Sequence, residues 1–262
     1  MAYSQEDRQW IQNQLNAEHT GRKVVIYNSV DSTNDIAKRL LGESDKEGTV
    51  ILSCTQTQGK GRQGRSWYSE ENVGIYLSIV LKPSLPFEQV AQITLVGGVA
   101  LVKAINEFSQ TRAYLKWPND ILLNGKKVAG ILTENCLNNA HSGVILGIGI
   151  NVNHARFPVH LQQIATSMAM ENGEIFERLP LITFFLNHLD EEYQSFQNEG
   201  ISPTVHQWNM NSDMFGKHIS MTQGTQTFLG TAIKLNEEGQ LVMQLDDGEE
   251  IAFSSGEVAL ME

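Results

Sequence analysis

Apolar residues follow two rhythms along this chain. Up to about residue 198, runs suited to strands alternate with stretches at helical spacing, and beyond Gly216 only short strand-like runs remain. Residues 4–16, around Trp10, Ile11 and Leu15, predict a short polar helix, and 23–27 a first strand. Asp31-Ser32-Thr33-Asn34-Asp35 joins cap-forming side chains to an S-x-x-D spacing. Ile36, Ala37, Leu40 and Leu41 then share one helical face and Gly42 supplies a stop, which predicts a helix over 33–41 with a capping box at its start. Residues 49–54 and 73–81 are β-rich apolar runs. Residues 88–108 form an amphipathic segment with Val96, Val99, Val102 and Ile105 near helical spacing, and its Gly97-Gly98 pair marks close packing.

A short strand over 114–116 runs into Trp117-Pro118-Asn119-Asp120. Apolar runs at 121–123 and 128–132 flank Asn124-Gly125, a strong hairpin signal. The run 144–150 reads as a buried strand whose Gly147 and Gly149 permit close approach of another group. Leu181, Ile182, Phe185, Leu186, Leu189, Tyr193 and Phe196 make a core-facing helical stripe. Strands at 218–222, 226–234, 241–245 and 250–253, separated by glycine-containing turns, predict a small β-barrel. Residues 198–214, with Gly200 and Pro203, read as the boundary. The expected class is therefore α+β: a mixed β-sheet with flanking helices over 1–212, followed by a small β domain over 213–262.

Composition narrows the function. A chain of 262 residues with 41% hydrophobic content has room for one large core and one small one. A formal net charge of -11 argues against a general polyanion binder, since nonspecific nucleic-acid affinity comes mainly from Lys and Arg neutralising phosphates. Cys54 and Cys136 are too few for a disulfide framework and lack metal-ligand spacing. The N-terminus lacks a basic and apolar leader, and no apolar run approaches the roughly 18 residues of a membrane span, so a cytoplasmic protein with no membrane partner is expected. His141, His154, His160 and His206 show no ligand spacing and read as surface or packing residues.

The chemistry concentrates in Gln58-Gly59-Lys60-Gly61-Arg62-Gln63-Gly64-Arg65-Ser66-Trp67. Glycines let backbone N–H groups approach an anion, and Lys60, Arg62 and Arg65 supply charge-assisted donors. Gly59, Gly61 and Gly64 satisfy G-x-G-x-x-G. However, a dinucleotide or P-loop site needs a helix to open at the loop, and here a strand-like run follows. Three further polar segments accompany the loop: 31–34 with Gln56, 116–120, and 147–151.

In that order and spacing, D-S-T-N, G-x-G-R-x-G-R-x-W, K-W-P-N-D and K-x-A-G-I resemble the biotin protein ligases across about residues 22–153. The resemblance implies a class II synthetase-like catalytic domain and an SH3-like C-terminal domain. It further implies ATP and Mg2+ as requirements, biotin as substrate, and activation through biotinyl-5'-AMP. The implied partner is a biotin carboxyl carrier domain of acetyl-CoA carboxylase or a related carboxylase, whose lysine receives biotin. By the same resemblance Lys116 bridges the biotin carboxylate and the α-phosphate, and Arg62 holds and shields the adenylate. Lys60 and Gly61 complete the loop over biotin, while Ser32, Thr33, Asn34 and Gln56 read the ureido ring, with Ser32 also able to cap its helix. Trp67 is either the stacking surface for adenine or a core residue, Asn151 addresses the adenine edge, and Lys127 and Arg65 reach nucleotide phosphates. Two departures stand out. About twenty residues precede the first strand, too few for the winged helix-turn-helix of family members that repress transcription, so no DNA partner is expected. Met261 stands where the family's C-terminal G-E-x-x-x-R segment has arginine. A lipoate or octanoate ligase or transferase of the same fold, and a non-catalytic biotin sensor, are the alternatives. A homodimer is left open and magnesium ligands are left unassigned.

Overall fold

Alternation of inward and outward side chains builds the first sheet, and the computed structural model describes it within residues 2–41, 47–83, 86, 89–137 and 142–261. The expected stop at Gly42 and the reading of His141 lie outside the described residues. Helix α1 (Gln5–Gln14) opens on a capping box between Ser4 and Asp7. Strand β1 (Lys23–Tyr27), helix α2 (Thr33–Leu41), β2 (Thr49–Ser53), β3 (Ile75–Leu81) and helix α3 (Gln92–Phe108) follow. Next come β4 (Ala113–Lys116), β5 (Asp120–Leu123), β6 (Lys126–Leu137) and β7 (Ser142–Ile150). The seven strands form one sheet ordered β1-β2-β3-β7-β6-β5-β4. It is mixed, as expected: β1 and β2 pair parallel and the other neighbours antiparallel. Asn124 (φ 47) and Gly125 (φ 77) make the left-handed pair that a two-residue hairpin requires between β5 and β6.

Helices cover both faces of the sheet. Ala37 and Leu41 of α2 bury against Ile51, Val80 and Ile145, while the alternate residues Val50, Leu52, Ile79 and Leu146 join the main core with α3. Helix α4 (Met168–Asn172), a short turn that periodicity could not reveal, precedes the long α5 (Arg178–Glu199), whose predicted apolar stripe is buried.

Within the expected boundary segment, residues 198–214, lies helix α6 (Ser202–Asn211), and its fully buried Trp208 donates from Nε1 to Leu95 O at 2.9 Å. A Cβ at Gly98 would stand 2.9 Å from Trp208 Cζ2 and 3.2 Å from Leu115, which is the close packing that the glycine pair foretold. At the start of α2 the capping box does not form. The Ser32 N–H donates to Asp31 Oδ1 at 2.8 Å, and Asp35 is drawn away by Lys60 at 2.6 Å.

Strands β8 (His218–Gln223), β9 (Gln226–Leu235), β10 (Leu241–Leu245), β11 (Glu250–Phe253) and β12 (Glu257–Leu260) form a second, wholly antiparallel sheet ordered β11-β10-β9-β8-β12. Four of these strands were expected. The fifth, β12, was read only as a motif segment, because four residues give too short a pattern to declare a strand before its partner β8 is known.

Candidate functional site

The floor of the site is a place where side chains are missing. Gly130 of β6 lies opposite Gly149 of β7 in the strand register, and Gly147 sits one inward-facing position away. A Cβ at Gly149 would collide with the indole of Trp67, one at Gly130 would stand 3.0 Å from the same ring, and one at Gly147 would collide with the Asn34 amide. The bare strands thus admit an aromatic ring and an amide flat against the backbone. Above this floor opens a cleft of 530 Å³.

One wall is polar and tied down. Gln56 Oε1 accepts from Thr33 N (2.9 Å) and from Thr33 Oγ1 (3.1 Å), while its Nε2 donates to Ser69 Oγ at 3.0 Å. Asn34 Nδ2 donates to Glu134 Oε2 at 2.7 Å, and its Oδ1 accepts from Ser78 Oγ at 2.5 Å. Ser32, Thr33 and Asn34 are all buried, held there by the first turn of α2.

The other end is cationic. Lys116 stands at the last position of β4, and burial, then the charges of Lys127 and Arg65, lower its pKa, with Asp120 opposing. Burial likewise lowers the pKa of Arg62, partly offset by Asp120. Asn119 connects two of the sequence motifs. Its Oδ1 accepts from Arg62 Nη1 (3.1 Å), and its Nδ2 donates to Ile131 O (2.9 Å), so the K-W-P-N-D turn holds the loop arginine. Lys127 lies 2.5 Å from Asp120 Oδ1, with its ammonium 5.4 Å from the Trp67 ring centroid. Arg65 pairs with Glu257 of β12, and Arg62 also donates to Gly256 O at 3.3 Å, so the second sheet closes this end.

The cleft brings together every residue singled out from the sequence: Ser32, Thr33, Asn34 and Gln56 on the polar wall; Lys60, Gly61, Arg62, Arg65 and Trp67 from the loop; and Lys116, Lys127 and Asn151 beyond it. Lys60 lines the rim while its ammonium engages Asp35. The sequence reading missed a third wall, where Phe157, Leu161 and Ile164 face the cleft, and the edge formed by residues 257–260. The third wall is fastened by Lys127 N to Ile164 O (2.9 Å) and Thr166 N to Lys127 O (3.0 Å), a long-range pairing with no local signal. Behind it His154, fully buried, stacks on Phe157 at 5.1 Å. No cluster of three metal-ligating side chains occurs among the described residues, and the cleft carboxylates Asp120 and Glu257 are both engaged by cations.

The polar wall offers amide and hydroxyl partners, the cationic end suits anions, and the glycine floor lets a group lie close against the strands. Comparison with known proteins gives this arrangement a name. Residues 26–151 match the Biotin/lipoate A/B protein ligase family, and residues 214–261 match the Biotin protein ligase C terminal domain. The chain is 34% identical over 244 residues to the bifunctional ligase/repressor BirA of Bacillus subtilis, covering 92% of this chain and 75% of that protein. It is 27% identical over 259 residues to the biotin-acetyl-CoA-carboxylase ligase of Mycobacterium tuberculosis, covering 96% and 94%. The structure resembles that of biotin protein ligase from Aquifex aeolicus in complex with biotin and ATP, with a TM-score of 0.81, 30% identity, and coverage of 92% of this chain and 99% of that one. The chain belongs to the biotin protein ligase family, and is therefore an enzyme of the ligase class.

Proposed function

We propose that this enzyme joins biotin to ATP as biotinyl-5'-AMP and then transfers the biotinyl group to a lysine of a biotin carboxyl carrier domain. The observation that carries this reading is the placement of Arg62, Lys116 and Lys127 at one end of a cleft whose opposite wall is a fixed array of amide and hydroxyl groups. In the first step a carboxylate oxygen attacks the α-phosphorus and pyrophosphate departs with the bond it breaks. Two anions must meet, and positioned cations offset their repulsion. Lys116 is well suited to this, because its charge is penalised by burial until an anion arrives. Lys127 shares the role, since it sits beside Trp67 on the glycine floor and Asp120 holds its charge in place.

In the second step the neutral amine of the acceptor lysine attacks the acyl carbon, AMP leaves, and the amine proton passes to solvent. Arg62, fixed by Asn119 and Gly256 O, holds the phosphate of the adenylate. Trp67 offers its face to adenine, Asn151 addresses the base edge, and Arg65 reaches the phosphates from its pairing with Glu257. Ser32, Thr33, Asn34 and Gln56 bind the ureido ring, and Lys60 with Gly61 close the loop over it. The cleft offers magnesium no cage of free carboxylates, so the ion would arrive on the triphosphate, held by phosphate oxygens and water. The division of the chain at residues 212 and 213 belongs to the same proposal. It is supported by a second sheet that supplies Gly256 and Glu257 to the cleft.

Transfer of labelled biotin to a purified carrier domain, with ATP and magnesium, tests the proposal. It requires transfer by the wild type, loss in Lys116→Ala, and none with lipoic acid. Tight biotin binding without pyrophosphate release would replace it with a sensor.

A further inference from the structure

Behind the polar wall runs a chain of hydrogen bonds that no substrate-contacting role explains. Ser78, at the centre of β3, is fully buried. Its single O–H is shared between two acceptors, Thr33 Oγ1 (2.7 Å) and Asn34 Oδ1 (2.5 Å). Thr33 Oγ1 donates in turn to Gln56 Oε1 (3.1 Å), Gln56 Nε2 donates to Ser69 Oγ (3.0 Å), and Ser69 Oγ donates to Trp67 O (3.3 Å). The chain thus begins on the floor, where Ser78 stands opposite Gly147, and ends in the cationic loop.

Its polarity follows from its fixed ends. Glu134 is an acceptor, so the group of Asn34 facing it at 2.7 Å is the NH2, and the amide oxygen must face Ser78. The backbone N–H of Thr33 is a donor, so the group of Gln56 facing it at 2.9 Å is the oxygen, and the NH2 must face Ser69. Ser78 lies between these fixed points and supplies the proton that Asn34 and Thr33 share. Glycines make room for the chain at both extremes. A Cβ at Gly147 would strike the Asn34 amide, and one at Gly59 would stand 2.6 Å from Trp67 O, 2.9 Å from Ser69 Oγ and 3.1 Å from Gln56 Nε2.

We propose that Ser78 is a specificity-determining positioning residue: its hydroxyl, seated between Thr33 Oγ1 and Asn34 Oδ1, holds these two oxygens in place within a polar wall whose amide orientations Glu134 and the Thr33 N–H set. With these orientations set, the Thr33 and Asn34 oxygens keep lone pairs, while the Ser32 hydroxyl and the second hydrogen of Gln56 Nε2 remain to donate. A cyclic urea needs that set, with acceptors for its ring N–H groups and donors for its carbonyl. The inference rests on the biotin reading of the cleft. Without Ser78 the Thr33 and Asn34 oxygens lose their buried donor, so both can shift from the places the ring requires.

The test is steady-state adenylation by Ser78→Ala, Thr33→Val and the double variant, with biotin and ATP varied separately and folding checked by thermal melt. Ser78→Ala should raise the KM for biotin about tenfold, the ratio for one well-placed hydrogen bond, while kcat and the KM for ATP change less than about twofold. The double variant should lose less than the product of the two single losses, because the two hydroxyls act in one chain. An unchanged biotin KM, equal losses for biotin and ATP, or additive losses in the double variant would each overturn the role of Ser78. A wild type with no biotin-dependent activity would instead overturn the reading of the site on which the role rests.

Discussion

Replacing Lys116 with methionine should make the protein more stable and nearly inactive, and both effects come from one feature. Lys116 ends β4 inside the cleft, and burial is the largest cause of its lowered pKa, followed by Lys127 and Arg65, with Asp120 only partly compensating. A base whose pKa is lowered by folding binds its proton less well in the folded than in the unfolded chain, so the charged form costs stability at neutral pH. Methionine keeps much of the aliphatic volume and removes the charge. Relieving a strained active-site charge of this kind typically gains about 0.5–2 kcal/mol. For a chain of this size that corresponds to a melting temperature higher by about 2–4 °C per kcal/mol. The sign fixes the pH dependence: the penalty is fully present below the lowered pKa of Lys116 and disappears as pH rises through the ordinary lysine value of about 10.4. The melting difference between variant and wild type should therefore shrink between neutral pH and about pH 10.

Activity moves the other way. A cation that meets two approaching anions acts mostly in the transition state, and loss of one such group costs about 100- to 1000-fold in kcat. Biotin-dependent exchange of pyrophosphate into ATP measures the adenylation step without a carrier domain. Melting curves of the same preparations, from pH 7 to about pH 10, measure the stability term. Exchange within about threefold of wild type would remove Lys116 from the chemistry and leave Lys127 as the bridging cation. A melting temperature below that of wild type at neutral pH would refute the electrostatic account of its burial.

Three other outcomes follow from the geometry. Arg62→Ala severs the contacts to Asn119 and Gly256 O, and should let activated biotin escape, so that pyrophosphate release exceeds biotin transferred to the carrier; a ratio of one would refute its shielding role. Gly149→Val places methyl groups where the Trp67 ring lies, and should raise the KM for ATP about tenfold or more with a smaller effect on biotin binding by calorimetry; equal losses would mean that Trp67 packs the site as a whole. Burial pushes the His154 pKa down from 6.5 to about 4, so the unfolded chain takes up the proton first as pH falls, and up to about 3 kcal/mol is lost between pH 6.5 and 4. His154→Phe should abolish that part of the acid sensitivity in urea titrations at pH 7 and about pH 4.5, and an unchanged slope would refute it.

Legibility followed pattern length. Helix α5 and the β5–β6 hairpin were plain because their signals are long or local: a stripe of seven apolar residues in one, Asn124-Gly125 in the other. Helix α6 is not legible inside the 198–214 boundary segment because Gly200 and Pro203 dominate its start, and only the finished fold shows Trp208 filling the space above Gly98. The capping box at Ser32 was a sound local inference overridden from a distance, since Lys60 lies 25 residues along the chain from Asp35. The site itself was legible as four motifs but not as walls. Phe157, Leu161 and Ile164 look like ordinary core residues until the pairing of Lys127 with 164–166 brings them over the floor.

The acidic composition and the cationic cleft are reconciled by how the charges pair. Lys60 has Asp35 at 2.6 Å, Lys127 has Asp120 at 2.5 Å, and Arg65 has Glu257. Among the described residues no carboxylate lies within ion-pair distance of Lys116 or Arg62, and these are the two cleft cations whose pKa burial lowers. The paired cations shape the loop, the floor and the contact with the second sheet. The two left without a carboxylate hold charge that burial penalises and an arriving anion would relieve. A net charge of -11 is thus compatible with an anion site, since only the charge not already neutralised within the cleft is felt by the ligand.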